Sequence, residues 1–348
     1  MIKFFRKIRQ QMLSENKFTR YLIYALGEIV LVVIGILIAV GINSWYNTSR
    51  NEQKIETILR QVQKELLTDI TDAKRITNFH IESDSIARMI LDDEFTTEMF
   101  LQNPEPAFLS TGYVSFSTMK GGYQRLLNNL ENLPERYKVL LPHFNNLHVE
   151  LQNDIDDFNT RLKNTVHQGR DADRLSNPKL ADYHLGKYPE EAADYFVNDP
   201  LLKNRTSFYM LDLNQLQMAV NEYRVESTIL YQKIDSLLGK KTTDKHGHLS
   251  KLPDEMDMQS YLGDYTRIGG TIFYLPTDHE ISFGMEGGKL MGYNLKADTT
   301  ALYWHDDQYF YLNQSFLTLK FYTNEKGQHI HEISDGWQNA LYMLKKDQ

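Results

Sequence analysis

A serine and a lysine three residues apart, Ser117 and Lys120, form the clearest chemical motif in the chain. The spacing matches the S-x-x-K motif of penicillin-recognising hydrolases, where the serine is the nucleophile. Tyr311–Asn313 and Lys241–Thr243 would have to supply the other two elements. That chemistry needs a helix start beside a large sheet, whereas residues 50–240 show a helical pattern and both partner motifs lie outside them. A periplasmic serine hydrolase is therefore only the third hypothesis for this chain.

Two histidine pairs raise the question of a metal site. His329 and His331 occupy alternate positions of a predicted strand and would face the same side, where they could share a metal. No third ligand follows at a defined spacing, and solvated strand histidines are commoner; His246 and His248 are equally incomplete. The chain has no cysteine, and it lacks G-x-G-x-x-G, P-loop and H-E-x-x-H motifs. We predict no metal, no other cofactor and no enzymatic activity.

Aromatic residues near the C-terminus form the last group with a chemical interpretation. Tyr303, Trp304, Tyr309 and Tyr311 could line the cavity of a small barrel that holds one ligand. The alternative is that their rings pack in the barrel core or wall, since buried rings contribute large apolar areas there. The first interpretation makes them candidate ligand contacts.

The first structural element that the sequence predicts is an apolar stretch at residues 21–45. Its only charged residue is Glu28. About 20 such residues in a helix cross a ~30 Å hydrocarbon core, so we predict one transmembrane helix. Aromatic residues suited to the two membrane interfaces stand at its ends, namely Tyr21, Tyr24, Trp45 and Tyr46. A cleaved signal peptide ending near Gly41 is the alternative, but its apolar region would exceed the ~7–15 residues usual there.

The predicted span itself contains one acidic residue and a row of small ones. Glu28 would either contact a partner helix or lie shallow and reach back toward the basic residues before it. Gly27, Leu31, Gly35 and Ala39 follow one another at four-residue steps. Small residues at this spacing allow helices to approach closely. We predict a protein partner or a homo-oligomer at this face, with membrane lipid around it.

A basic arm precedes the span. Residues 1–20 carry a net charge of +5. Because the whole chain has a net charge of −8, residues 21–348 carry −13. An acidic body repels phosphate backbones, and we predict no nucleic-acid partner. Basic residues flanking a span stay on the cytoplasmic side, which places the C-terminal body on the other side. The arm is predicted to contact anionic headgroups through Lys3, Arg6, Lys7, Arg9, Lys17 and Arg20.

Residues 46–240 are predicted to form an antiparallel helical bundle. Apolar residues recur at three- and four-residue steps from Ile55, and no Pro or Gly separates Trp45 from Leu91, so the membrane helix is predicted to continue straight into the body. Proline and glycine in the polar residues 168–203 favour a long excursion without helices. The remaining predicted helices are a short one at 118–130, a long one starting near Pro134, and a long one at 205–238.

A linker at residues 241–256 leads to a β-rich domain at 257–348, which makes the fold class α+β. Short runs rich in aromatic and β-branched residues, separated by turns, favour a small antiparallel barrel or sandwich. The predicted strands are Tyr261–Tyr265, Thr271–Leu275, Glu280–Met285, Lys289–Tyr293, Thr300–Trp304, Tyr309–Leu312, Phe316–Tyr322, His329–Ile333 and Ala340–Leu344.

The first fifty residues resemble the start of an uncharacterised single-pass membrane protein family of Bacteroidota. The likeness is carried by Phe5–Gln10, Glu15–Phe18, Arg20–Ala25, Gly27–Ala39 and Ile42–Trp45. Met119–Gly122, before a Leu-rich helix start, also resembles a segment of that family and accounts for Ser117–Lys120 better than a hydrolase does. The resemblance implies an inner-membrane location and no established activity.

The C-terminal region is similar to a lipocalin-like accessory β-domain. Tyr261–Tyr265, Gly287–Leu290, Tyr309–Leu312 and Phe316–Phe321 follow the order of that domain. The resemblance implies an accessory role and brings no catalytic residues.

The leading hypothesis is thus a non-enzymatic inner-membrane protein whose periplasmic bundle and β-domain bind a partner or ligand. The alternative is a membrane-anchored sensor that signals through a partner at the transmembrane helix, because a bundle standing on such a helix is the usual geometry for signalling. Loss of a co-purifying partner from a Glu28→Gln variant would favour the sensor, whereas unchanged partners would count against it.

Overall fold

A computed structural model describes residues 18–176, 180–239, 258–270, 280–293, 299–304, 309–312, 318–334 and 340–346. The fold is α+β, with helices throughout the first two ranges and strands in the others. The α-helices are α1 (Phe18–Leu91), α2 (Thr97–Gln102), α3 (Gly121–Leu127), α4 (Leu141–Asn145), α5 (Leu151–Ser176), α6 (Leu180–His184), α7 (Glu190–Phe196) and α8 (Pro200–Leu237).

Helix α1 runs without a break from the apolar stretch into the bundle, which confirms the predicted continuity. Its 74 residues correspond to a length of about 110 Å. From residue 25 onward it is long and apolar enough to cross a membrane, and its most apolar part is not buried by any other part of the protein. Residues Ile29 through Val40 are exposed on all sides of the helix, which is consistent with a membrane anchor.

The bundle is built on two long antiparallel contacts, between α1 and α8 and between α5 and α8. Their shared core begins at Ile55 and continues through Leu59 and Leu66 of α1, against Leu213 and Val220 of α8. Short 3-10 helices at Leu130–Asn132 and Glu135–Leu140, and a π-helical turn at Asn146–Glu150, connect α3, α4 and α5. The bundle therefore stands directly on the anchor helix and shares its axis.

The prediction of an irregular excursion at residues 168–203 is wrong for the part that the structure describes. Helix α5 extends to Ser176, and α6 and α7 follow it. Pro189 is the N-cap of α7, and Pro200 is the first residue of α8. A proline is tolerated at a helix start, where its missing N–H has no partner to lose, so these prolines begin helices instead of preventing them.

The C-terminal strands form a closed antiparallel barrel in sequence order, which decides between barrel and sandwich. The strands are β1 (Gly263–Gly270), β2 (Glu280–Glu286), β3 (Lys289–Tyr293), β4 (Thr299–Trp304), β5 (Tyr309–Leu312), β6 (Thr318–Thr323), β7 (His329–Ser334) and β8 (Ala340–Lys345). Gly287 and Gly288 both have positive φ values, of 56° and 77°, as a two-residue type I′ hairpin requires. The predicted strand Thr271–Leu275 and the first residues of Phe316–Tyr322 lie outside the described residues.

The barrel lies beside the membrane-distal end of α1. Glu332 of β7 is close enough to Arg88 for each charge to act on the pKa of the other. Hydrogen bonding to Asp84 is the main cause that raises the pKa of Arg88, with Glu332 contributing. Burial raises the pKa of Glu332, and Lys320 and Arg88 oppose that shift. Both the barrel and the end of the bundle thus lie far from the anchor.

Candidate functional site

A cavity of about 820 Å³ lies at the end of the bundle that is far from the apolar part of α1, and we call it the distal cavity. Five segments line it: the 3-10 helix Glu105–Thr111, the last turns of α5, helix α6, helix α7 and the start of α8. Its apolar wall consists of Ala107, Phe108, Ala181, Tyr195, Phe196 and Leu202. Its charged and polar wall consists of Ser110, Thr111, Arg170, Asp171, Asp173, Arg174, His184 and Arg205.

The apolar wall is held in place by an aromatic cluster that joins the short helices. The Phe108 and Phe196 rings lie 5.0 Å apart, and the Phe100 and Phe196 rings stack at 5.5 Å. Tyr183 of α6 meets Phe196 edge to face at 4.9 Å. Such ring pairs add about 0.5–1.5 kcal/mol each beyond the area they bury. Helices too short to be stable alone are thereby fixed against the end of α1.

An ion pair between Asp173 and Arg205 closes the inner side of the cavity. The Tyr195 hydroxyl also donates to Asp173, over 2.7 Å, and the Arg205 guanidinium lies 5.9 Å from the Tyr195 ring. Burial lowers the pKa of Arg205. The Asp173 carboxylate therefore has both a cation and a hydroxyl as partners, and this pair serves to hold α5, α7 and α8 together.

The outer side of the cavity carries two further arginines one helical turn apart. Arg170 donates from Nε to the Thr111 carbonyl over 2.6 Å. Arg174 lies 3.3 Å from Asp171, in a pair whose side chains are 71% and 67% exposed. An exposed pair of this kind contributes about 0–1 kcal/mol, so Arg174 can exchange Asp171 for another anion at little cost.

None of the distal cavity residues was among the sequence-predicted sites. Nine of its fourteen lining residues fall within residues 168–203, which were interpreted as a polar excursion, and Arg and Asp at 170–174 resemble solvated helix surface. The available signal was the group of aromatic residues at 183–196, which is unusual for an exposed segment. Their partners lie near residue 100, and no local pattern reveals that contact.

A second constellation lies in the middle of the bundle, where α1 holds the segment Met119–Gly122 with two carboxylates. Asp69 is 2% exposed and accepts hydrogen bonds from the Met119 N–H and, over 2.7 Å, from the Tyr223 hydroxyl. Glu65, one turn earlier, accepts from the Gly122 N–H over 2.7 Å. Burial is the main cause that raises the pKa of Asp69 to about 6. We call this arrangement the carboxylate clamp.

The clamp holds the segment that overlaps the hydrolase-like motif through the backbone N–H groups of Met119 and Gly122. Ser117 is exposed, and the Thr118 hydroxyl bonds to Gln152 of α5. Within residues 18–176 and 180–239 the structure contains no strand that could supply the sheet of such an enzyme. The motif segment packs on α1 because Gly122 permits a very close approach, with an added Cβ only 2.7 Å from Val62 Cγ2.

The sequence-predicted membrane residues stay dispersed along α1. Gly27, Gly35 and Ala39 are exposed, and Glu28 is half-buried. Trp45 and Tyr46 are exposed by 71% and 58%. Arg20, Tyr21 and Tyr24 belong to α1, but their side chains lie outside the description. The other basic residues of the arm, Lys3, Arg6, Lys7, Arg9 and Lys17, lie outside the described residues.

The predicted aromatic contacts of the barrel are on neighbouring strands. Tyr303 of β4 pairs with Tyr311 of β5, and Trp304 pairs with Phe310. The side chains of Tyr303, Trp304, Tyr309 and Tyr311 lie outside the description, so their role as ligand contacts stays a prediction. Elsewhere the barrel interior contains a packed core that includes Tyr265, Phe283 and Phe321.

The two strand histidines have different surroundings. His331 is fully buried, stacks on Phe321 at 4.5 Å, and burial lowers its pKa to about 3. His329 lies against the Tyr261 ring and 3.1 Å from the Thr323 hydroxyl. No group of three or more His, Asp or Glu side chains in the described residues has the geometry of a metal site. His331 is a core residue among aromatic rings.

Comparison with known proteins identifies one region of similarity. Residues 28–102 match a family of unknown function (DUF6090), which covers the second part of the predicted span, the rest of α1 and α2. No curated protein matches the chain. The match includes Glu28 and both carboxylates of the clamp, and it ends before the distal cavity.

Proposed function

We propose that the protein is a non-enzymatic, single-pass inner-membrane protein whose body binds a small ligand in the distal cavity. In this proposal the basic arm lies in the cytoplasm, and the bundle and barrel lie in the periplasm. Lipid surrounds the span, and the face with Glu28 is where a partner protein or a second copy would contact it.

The observation that carries this proposal is the distal cavity itself. Its volume of about 820 Å³ falls within the ~300–1,000 Å³ usual for ligand sites, and its lining combines six apolar or aromatic residues with eight charged or polar ones. Both carboxylates in its wall are paired with arginines. These features favour binding over acid–base catalysis.

The distance of the cavity from the membrane also supports a soluble ligand. Ile90 of α1 belongs to the same core cluster as Phe100 and Phe196. It follows Trp45 by 45 residues, which correspond to about 70 Å of helix. A lipid headgroup in the bilayer that holds the span cannot reach so far, so the ligand must come from solution.

Filling the cavity should remove the ligand. We expect native mass spectrometry of the full chain, purified in detergent, to show a bound small molecule that the Ala181→Trp variant lacks. Ala181 lines the cavity at an exposed position, so an indole there occupies the space without disturbing the bundle core. Ala172→Trp, on α5 and outside the cavity wall, is the matched control and should retain the molecule. A wild-type chain without any bound molecule would contradict the proposal.

The proposed orientation can be tested with single cysteines, because the chain contains none of its own. Glu135 has an 87% exposed side chain in the bundle, and Ser14 lies in the arm. We expect a membrane-impermeant maleimide to label Glu135→Cys in cells with a permeabilised outer membrane, and to label Ser14→Cys only after lysis. The reverse labelling pattern would reverse the orientation.

A further inference from the structure

We propose that the distal cavity takes a molecule with one anionic group and an apolar body, and that Arg170 and Arg174 bind the anionic group at its mouth. This inference rests on the proposed function, because it names the chemical class of the ligand of that cavity. It is argued from the charges, the spacing of the arginines and the apolar wall.

The charges that line the cavity do not cancel. Three arginines, Arg170, Arg174 and Arg205, face two aspartates, Asp171 and Asp173. The inner pair of Asp173 with Arg205 is complete, since Tyr195 also donates to the carboxylate. A cationic ligand would therefore have to compete with guanidinium groups that are already in place, whereas an anion meets a surplus of positive charge.

The surplus is concentrated on one face of α5. Arg170 and Arg174 are four residues apart, so their Cβ atoms are about 5–6 Å from each other. No carboxylate of the described residues is paired with Arg170, whose Nε bonds to a carbonyl. Within the described residues, the ion pair of Arg174 is its exposed contact with Asp171. Two guanidiniums at this spacing can bind one carboxylate or similar oxyanion between them, with bidentate geometry at either arginine.

The setting makes this positive charge selective. The whole chain has a net charge of −8, so a cationic mouth is an exception on an acidic protein. A local cluster of positive charge on an acidic body attracts anions to that cluster. An anion-binding role explains why arginines are clustered here.

The apolar wall determines the rest of the ligand. The apolar part of the lining consists of Ala107, Phe108, Ala181, Tyr195, Phe196 and Leu202. A free inorganic anion would leave this apolar surface in contact with water. A ring or short hydrocarbon attached to the anionic group would bury the surface.

Calorimetry with a matched pair of probes tests the inference. The full chain is reconstituted in nanodiscs of zwitterionic lipid and titrated with naphthoate, with the uncharged naphthylmethanol, and with acetate; empty nanodiscs are the reference. We expect naphthoate to bind at least about tenfold more tightly than either other probe, because a charge-assisted hydrogen bond contributes about that factor. The double variant Arg170→Gln/Arg174→Gln should lose about tenfold or more in naphthoate affinity and keep its naphthylmethanol affinity.

Arg161→Gln is the matched control, because Arg161 lies on the same helix, pairs with Asp157 over 2.7 Å and does not line the cavity. It should bind naphthoate as the wild type does. Equal affinity for naphthoate and naphthylmethanol would overturn the inference and leave a binding cavity for apolar ligands. Absence of naphthoate binding would also overturn it, while the mass-spectrometric test of Ala181→Trp decides the proposed function separately.

Discussion

Replacing Gly122 with alanine is expected to lower the free energy of unfolding by about 2–4 kcal/mol, which is the range of overpacking combined with a lost buried hydrogen bond. A Cβ at residue 122 would lie 2.7 Å from Val62 Cγ2 and 3.1 Å from Val62 Cα. Backbone at the second distance cannot move aside as the end of a side chain does. The segment Met119–Gly122 must then leave α1, and the carboxylates of the clamp lose its N–H groups.

Chemical denaturation of the full chain, followed by circular dichroism, measures this effect. Gly112→Ala is the control, because an added Cβ there meets no atom within 4 Å and the residue has no positive φ. We expect this control to stay within about 0.5 kcal/mol of the wild type, as surface substitutions do. Equal stability of the Gly122→Ala variant would show that the close approach of the segment to α1 is unimportant.

Asp69 should make the stability of the bundle depend on pH. Burial raises its pKa from 3.8 to about 6 in the folded state. Between these values the folded state binds more protons than the unfolded state, so the contribution of Asp69 is fully present below about pH 4 and is lost as the pH rises through 6. The full contribution of Asp69 to the free energy of unfolding is about 3 kcal/mol, and about half of it is lost between pH 5 and pH 8.

The Asp69→Asn variant removes this titration and keeps an oxygen that accepts from Met119 and Tyr223. We expect its free energy of unfolding, relative to the wild type, to rise by about 1–1.5 kcal/mol between pH 5 and pH 8. Asp157→Asn is the control, since Asp157 lies on α5 with a 54% exposed side chain and does not act on the pKa of Asp69. A difference between Asp69→Asn and wild type that is independent of pH would mean that Asp69 titrates normally.

The two predictions concern one structural unit. Gly122 lets the segment Met119–Gly122 pack against α1. The carboxylates of Glu65 and Asp69 then exchange hydrogen bonds from water for hydrogen bonds from the N–H groups of this segment. The energies of such coupled contacts are not additive. A variant with both changes should therefore differ from the sum of the two single effects, and the same denaturation experiment measures that difference.

Much of the fold follows from local patterns in the chain. The predicted strand Lys289–Tyr293 has the same bounds as β3 in the structure, because the two glycines before it define the hairpin. The continuation of the membrane helix to Leu91 could be predicted because no Pro or Gly interrupts the apolar periodicity between Trp45 and Leu91. The error at residues 168–203 has a local cause as well: a proline that starts a helix and one that breaks a helix look alike in the sequence.

The candidate site could not be predicted in this way. In the sequence, Arg170 and Arg205 look like ordinary surface residues. The segments that carry them become walls of the cavity only when α7 packs against α2. The clamp could not be predicted either, because Glu65 and Asp69 lie on a helix face with both polar and apolar residues. A hydrogen bond from Tyr223 to Asp69 joins residues 154 positions apart, and no short-range pattern encodes it.

What the amino-acid sequence alone determined is the division of this protein into a basic arm, an apolar helix able to span a membrane, a helical body and a β-rich end. These properties depend on composition and on periods of two to four residues, and each short segment carries them by itself. The tertiary structure decided that the β-rich end closes into a barrel, that Met119–Gly122 is held by buried carboxylates, and that short helices enclose a cationic cavity. Those features arise from burial between distant segments, where desolvation changes what a charged side chain can do.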